Sequence, residues 1–195
     1  PPGLASSFFH EQIKEGDILD VKAPSGQFHL DPAGSGGLVL IGSGIGVTPV
    51  LSMLNTLVTQ NSRREIWFFH GIRSCSEHIM KEHLEAIARE NPTVRLQVCA
   101  SKPDPNYELG RDYHHEGRVN VELFKTLLPS NNYDFYLCGP GQMLQDLTEG
   151  LKEWGVPETN VHYEPFGPSR VTQIAPPPPP RPAAPARSPP PSTQT

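Results

Sequence analysis

Two short stretches of this chain have the residue types needed to hold an anion against the main chain. Residues 42–49 read GSGIGVTP. Glycines permit positive φ and let backbone N–H groups approach a bound phosphate. Pro49 suits the first turn of a helix, where its missing N–H costs nothing, and the helix dipole there favours negative charge. The stretch departs from the dinucleotide fingerprint G-x-G-x-x-G, because Val47 stands where the third glycine belongs. No acidic residue follows the second strand either, which ends HGIR at 70–73. A plain tight turn has a similar composition. What favours phosphate binding is position, after a strand and before a helix.

The second stretch, 138–143, reads CGPGQM. Gly139 allows close backbone approach, Pro140 opens a helix, and Cys138 falls at the carboxyl end of a strand. A thiol there could be a nucleophile, its pKa lowered by the helix N-terminus. No histidine is placed by sequence to act as its base, so a contact role is favoured over covalent catalysis. His114 and His115 are adjacent but lack a third ligand, and His78 and His83, five apart, do not share a helix face. The three cysteines, Cys75, Cys99 and Cys138, are odd in number, with no C-x-x-C. They argue against a disulfide framework or zinc site and for a reducing, cytoplasmic setting.

The elements that must position these loops alternate. Apolar runs at Leu38–Ile41, Glu65–Phe69, Val94–Cys99, Asp134–Cys138 and Asn160–Tyr163 read as strands. Helical spacing marks Val47–Thr59, Ser76–Glu90, Val121–Leu128 and Met143–Trp154. Apolar strands alternating with helices predict an α/β fold, a doubly wound five-stranded parallel sheet with ligands at the strands' carboxyl ends. Before it lie a helix at Ser6–Ile13 and a strand-like segment at Asp17–Ala23.

Charge excludes some functions. The 16 basic and 21 acidic residues give a net charge of -5. Residues 174–195 hold two of the basic residues, Arg181 and Arg187, which leaves 14 against 21, or -7, for the rest. That balance argues against nucleic acid as a partner. No apolar run approaches the ~20 residues needed to cross a bilayer, so no membrane role is expected. Ten of the 23 prolines fall between Pro176 and Pro191, so 171–195 reads as a disordered linker or tail. It contains a P-x-x-P pattern at Pro182–Pro185, which chance also produces in such tracts.

Taken together, the two loops resemble those of the ferredoxin–NADP reductase superfamily, with its flavohaemoglobin and phthalate dioxygenase reductase-like NAD(P)H:flavin oxidoreductases. Gly44–Pro49 is similar to that family's G-x-G-x-x-P loop, and Cys138–Met143 to its Cys-Gly-Pro-x-x-Met loop. Residues 164–168, EPFGP, resemble its E-x-F-G segment. Gly3–Ser6 resembles the G-x-x-S helix start that binds flavin pyrophosphate, and 15–28 the last strand of the flavin barrel. The family's R-x-Y-S strand is absent, and the chain starts Pro-Pro-Gly without Met, so it reads as a fragment.

The resemblance implies three parts: 1–36 as the C-terminal remnant of an FAD-binding barrel, 37–170 as the NAD(P)-binding domain, and 171–195 as the tail. It implies that Gly44, Ile45, Gly46, Thr48 and Pro49 cradle the nucleotide pyrophosphate. Cys138 would sit near the reactive carbon of the nicotinamide, with Gly139, Pro140 and Met143 shaping that pocket. Phe166 would cover the flavin ring and Glu164 polarise the site; without the resemblance, Phe166 reads as a core aromatic. Gly3, Leu4, Ala5 and Ser6 would contact FAD phosphates. In this fold the adenosine ribose lies near the ends of the second and third strands, where Arg73, Ser74, Ser101 and Lys102 could accept a 2′-phosphate. Arg111 and Arg118 could contribute. Solvated surface charge is the plainer alternative, and the balance favours NADPH over NADH.

The implied activity is hydride transfer from NAD(P)H to FAD, the protein aligning two rings and excluding water. The proline-rich tail looks like the linker that leads to an iron–sulfur (2Fe-2S) ferredoxin-like domain in some relatives, so such a partner is expected. A flavohaemoglobin-like nitric oxide dioxygenase parent is the nearest alternative. A catalytically idle nucleotide-binding module that docks partners through its tail is another. A flavin-free NAD-dependent dehydrogenase is disfavoured by the failed fingerprint.

Overall fold

A computed structural model describes residues 3–31 and 34–166. The tail at 171–195 and the last two residues of the E-x-F-G segment, Gly167 and Pro168, lie outside the described residues.

Six strands form one parallel sheet: β1 (Gly37–Ser43), β2 (Ile66–Ile72), β3 (Val94–Ala100), β4 (His115–Glu116), β5 (Tyr133–Gly139) and β6 (Val161–Pro165). The order across it is β4-β3-β2-β1-β5-β6. Apart from the initial helix α1 (Leu4–Glu11), the helices are crossovers: α2 (Val47–Thr59), α3 (Lys81–Glu90), α4 (Val121–Leu127) and α5 (Gly141–Glu153).

Strand chemistry explains the layering. Every residue of β2 is buried, as a strand covered on both faces requires. Side chains alternate between the faces. Leu38, Leu40, Phe68, Leu96, Val98 and Tyr136 pack with Val50, Leu54 and Leu84 on the α2 and α3 side. Val39, Ile41, Phe69, Phe135 and Leu137 pack with Phe124, Leu144 and Leu147 on the α4 and α5 side. Each buried Leu or Phe contributes roughly 1.5–3 kcal/mol, so these two clusters hold the sheet that positions the loops.

The structure corrects the expected count of five strands. The added β4 is two residues long and pairs with β3 at Cys99 and Ala100. A strand that short has no periodicity to reveal it. The expected helix at Ser76–Glu90 is interrupted: a 3-10 turn at Cys75–Glu77 is followed by Met80 at φ 59°, and α3 begins at Lys81. Asp17–Ala23 is not a strand. Ile18 and Val21 are 96 % and 84 % exposed, and no neighbour completes a ladder there. Lys14 N–H instead donates to Asp17 Oδ2 at 2.8 Å, a local turn. Helix α1 begins two residues earlier than expected and buries no residue.

The segment before β1 is anchored where it approaches the sheet, with Arg64 Nε donating to the Gly36 carbonyl at 2.5 Å. Phe28 and Leu30 pack on the α2-side cluster, and Asp31 N–H donates to Tyr136 Oη at 3.1 Å. The Tyr136 ring stacks on His162 at 4.5 Å.

Candidate functional site

The winding of the sheet reverses at β1, which pairs with β2 on one side and β5 on the other. Such a switch point opens a crevice at the carboxyl ends of the strands. Both glycine-rich loops emerge there.

The first loop is a 3-10 turn, Gly44–Gly46, running into α2. Its glycines have different duties. A Cβ on Gly46 would lie 2.5 Å from the Cys138 carbonyl oxygen and 2.9 Å from Gly139 Cα, so this residue lets the two loops touch. Gly44 has φ +53° and nothing within 4 Å of a built Cβ, so it alone of Gly42, Gly44 and Gly46 faces open space. Ser43 Oγ donates to the Gly71 carbonyl at 3.1 Å and ties the end of β1 to that of β2. No side chain caps α2, so the donors of its first turn are not taken up by a side-chain cap. Thr48 Oγ1 donates to Ile45 O at 2.9 Å, which stiffens the turn. Pro49 is the third residue of α2, where its missing N–H forfeits no helical bond.

The second loop follows β5. Pro140 caps α5, and Leu144 N–H donates back to its carbonyl at 3.1 Å. Met143 closes over Gly139, whose Cβ would lie 2.6 Å from Met143 Cε. Cys138 is buried and pairs in register with Glu164 on β6. Burial, and then the Glu164 carboxylate, push the Cys138 thiol up to about 11. That is the opposite of the lowered value an activated nucleophile would need, and it is in keeping with the contact role favoured from the sequence. Glu164 and Phe166 are both exposed at this end of the sheet.

A cleft of about 450 Å³ opens on the α4 and α5 side of these strand ends. Arg73, Ser101, Pro140 and Met143 line it, as does Ser43, which leads into the glycine turn. Arg118 joins them from the segment after β4. Its carbonyl accepts from Asn120 Nδ2 at 3.0 Å, while Asn120 Oδ1 caps α4 through Leu123 N–H. Glu122 and Asp146 add negative charge to the same wall.

Not every expected residue arrives there. Ser74 is buried and its hydroxyl is shared with Ser76 at 2.8 Å. Lys102 is exposed and is not part of the lining, although its N–H donates to Arg73 O at 2.7 Å. Arg111 is held by Glu108 and Asp112, at 2.9 and 2.8 Å. Thr48 lines a separate groove on the outer face of α2. Gly3, Leu4, Ala5 and Ser6 are exposed at the start of α1.

The histidines of the 103–117 segment are edge-pairing residues. His114 Nδ1 faces Val98 N–H at 3.0 Å, and His115 Nε2 contacts Gln97 Oε1 at 2.7 Å. Among the described residues, no cluster of three or more metal-ligating side chains occurs. No helix among them is long and apolar enough to cross a membrane. One buried polar group was not singled out in the sequence. His70, in β2 opposite Gly42, is fully buried directly under the glycine loop.

Comparison with known proteins agrees with this arrangement. Residues 40–149 match the family model for the oxidoreductase NAD-binding domain. A flavohemoprotein of Halalkalibacterium halodurans is 37 % identical over 169 residues, 87 % of this chain and 41 % of that protein. The flavohem-like FAD/NAD-binding domain of nitric oxide dioxygenase from Vibrio cholerae superposes with a TM-score of 0.71 at 31 % identity, covering 86 % of this chain and 66 % of that one. A Malassezia yamatoensis flavohemoglobin with bound FAD and heme gives a TM-score of 0.59 at 32 % identity, over 72 % of this chain and 33 % of that one. The chain thus spans less than half the length of the curated relatives it matches. With the second half of β1 through most of α5 inside the matched range, the chain belongs to the oxidoreductase NAD-binding domain family.

Proposed function

We propose that this chain is the pyridine-nucleotide half of an NAD(P)H-dependent flavoprotein reductase, delivering reducing equivalents from NAD(P)H to FAD. The observation that carries this is the contact between the two loops: Gly46 lies directly against the Cys138 carbonyl, beside a cleft whose rim holds Arg73, Ser101 and Arg118. The open Gly44 and the first turn of α2 offer backbone donors to a pyrophosphate, and the two arginines offer cations to phosphate on the ribose. When both cofactors are bound, the dinucleotide supplies a hydride and the flavin accepts it. The chain's own part is alignment. Cys138, neutral and buried, packs into the α2-side core at the strand end, while Pro140 lines the cleft and Gly139 leaves room for Met143 beside it. Glu164 adds a carboxylate beside it, and the exposed Phe166 ring stands where a planar ring can be covered or displaced.

Residues 1–36 fit the reading of an FAD-domain remnant, with Gly3–Ser6 at a helix start and α1 presenting Leu4, Phe8 and Phe9 outward. The relatives named above favour a haem domain as the electron acceptor over the iron–sulfur domain that the proline-rich tail suggests. The two nucleotides are distinguished by calorimetric titration of the chain with NADPH and NADH, repeated on Arg73→Ala and Arg118→Ala. Tighter NADPH binding, reduced toward the NADH value in both variants, is expected. Loss of all binding in the unmodified chain would overturn the reading.

A further inference from the structure

The His70 and His78 rings stand 4.9 Å apart in an edge-to-face arrangement. All four of their ring nitrogens are buried and lack a hydrogen-bond partner. Apart from Trp67 Nε1, these are the unpaired buried side-chain polar atoms among the described residues. An unpaired buried polar group costs roughly 1–3 kcal/mol, so leaving two rings idle needs a reason.

Location supplies one. His70 projects from β2 on the α2 side, beneath the turn that begins at Gly44. The Gly44 backbone acts on the ring so as to favour its protonated form, the sense expected of a carbonyl facing an imidazole N–H. No hydrogen bond is completed. The turn above is free to complete it: Gly46 is wedged against Cys138, whereas Gly44 and Ile45 are exposed.

We propose that His70 and His78 are positioning residues for the glycine loop, which closes onto the His70 ring when a nucleotide's phosphates bind. This rests on the nucleotide-binding reading above. In the closed state His70 donates its one N–H to the Gly44 carbonyl, and its other nitrogen accepts from the His78 N–H. A neutral imidazole has one donor and one acceptor, so the chain is internally consistent and moves no proton. The groups facing the pair are the Gly44 backbone on His70, and Lys81 of α3 and His114 on His78. Burial first, then the charge of His78 on His70 and of Lys81 and His114 on His78, hold His70 down to about 3 and His78 to about 4, with the Gly44 backbone pulling His70 the other way, so both rings are neutral at pH 7. Bonds absent in the free protein and present in the bound one add to nucleotide affinity instead of resting stability.

That division sets the test. The 195-residue chain, labelled with 15N-histidine, is titrated with NADPH while long-range 1H–15N spectra follow the ring nitrogens. The His70 and His78 signals are expected to be those of neutral rings and to shift as NADPH saturates. His70→Leu is expected to weaken NADPH binding about five- to tenfold, with its urea midpoint unchanged or raised. His70→Gln, which keeps a donor, is expected to recover most of the affinity. A purely structural histidine would instead lower midpoint and affinity together. If His70→Leu does not fold by circular dichroism, His78→Gln and the ring spectra decide. Ring signals that stay fixed at saturation, or His70→Leu binding NADPH like the unmodified chain, would overturn the proposal while leaving the nucleotide site intact. Absence of NADPH binding by the unmodified chain would overturn both.

Discussion

The main-chain N–H of Phe166 donates to the Gly139 carbonyl at 2.9 Å. This bond extends the pairing of β5 and β6 one step past their last register pair, Gly139 with Pro165. The Phe166 ring is therefore placed by a backbone bond, although the ring itself is 48 % exposed. Phe166→Ala should leave the bond in place and change unfolding free energy by less than about 1 kcal/mol. Urea denaturation checks this, and a larger loss would mean that the ring is part of the core.

Gly46→Ala should be far more costly. Its Cβ would meet backbone atoms, the Cys138 carbonyl oxygen at 2.5 Å and Gly139 Cα at 2.9 Å, which cannot swing aside as a side chain can. Forced displacement of packed elements typically costs about 1–3 kcal/mol. Gly44→Ala meets no atom, yet must hold φ +53°, at a cost near 1 kcal/mol. Denaturation midpoints should fall in the order unmodified, Gly44→Ala, Gly46→Ala, and nucleotide affinity should fall most for Gly46→Ala.

The three free cysteines should be slow to react in the native chain. All are buried; burial raises the thiol pKa of each, to about 12 for Cys99 and about 11 for Cys138. Because the thiolate is the reactive form, a disulfide exchange reagent at pH 8 should find no fast thiol until denaturant is added, when three should appear. A fast-reacting Cys138 in the native chain would contradict the neutral contact role proposed for it.

Stability should decline on acidification from neutral pH. His70 and His78 have folded pKa values of about 3 and about 4, below the ordinary 6.5 of an unfolded chain. Between those limits the unfolded state binds more protons, so stability rises with pH there. The contribution is complete above pH 6.5 and is lost as pH falls toward 4, at up to ~1.4 kcal/mol per pH unit for each ring. Urea midpoints measured from pH 7 to pH 5 should fall, and His70→Leu should flatten the slope.

How far these features can be read from the residues depends on whether they are local. The run Ile66–Phe69 is apolar on both faces and could only be an interior strand, and Val47–Thr59 carries its helix face in its spacing. Strand β4 exists because Cys99 and Ala100 present an edge, and two residues carry no record of that. Asp17–Ala23 has strand-like composition but no partner to pair with. The glycine loop was legible as a loop, whereas the duties of Gly44 and Gly46 depend on a second loop more than 90 positions away. Arg118 reaches the cleft through the cap at Asn120, and His70 looks like a polar interruption in a strand until the turn above it is seen.

The wedge of Gly46 against the Cys138 carbonyl has an evolutionary and engineering reading. With no side-chain tip between the loops to absorb an error, variation in one is filtered by the shape of the other. Changes at 138–143 aimed at a different dinucleotide should therefore show strong epistasis with 42–49. A library that varies one segment alone samples mainly misfits, and one that varies both together reaches the compatible pairs.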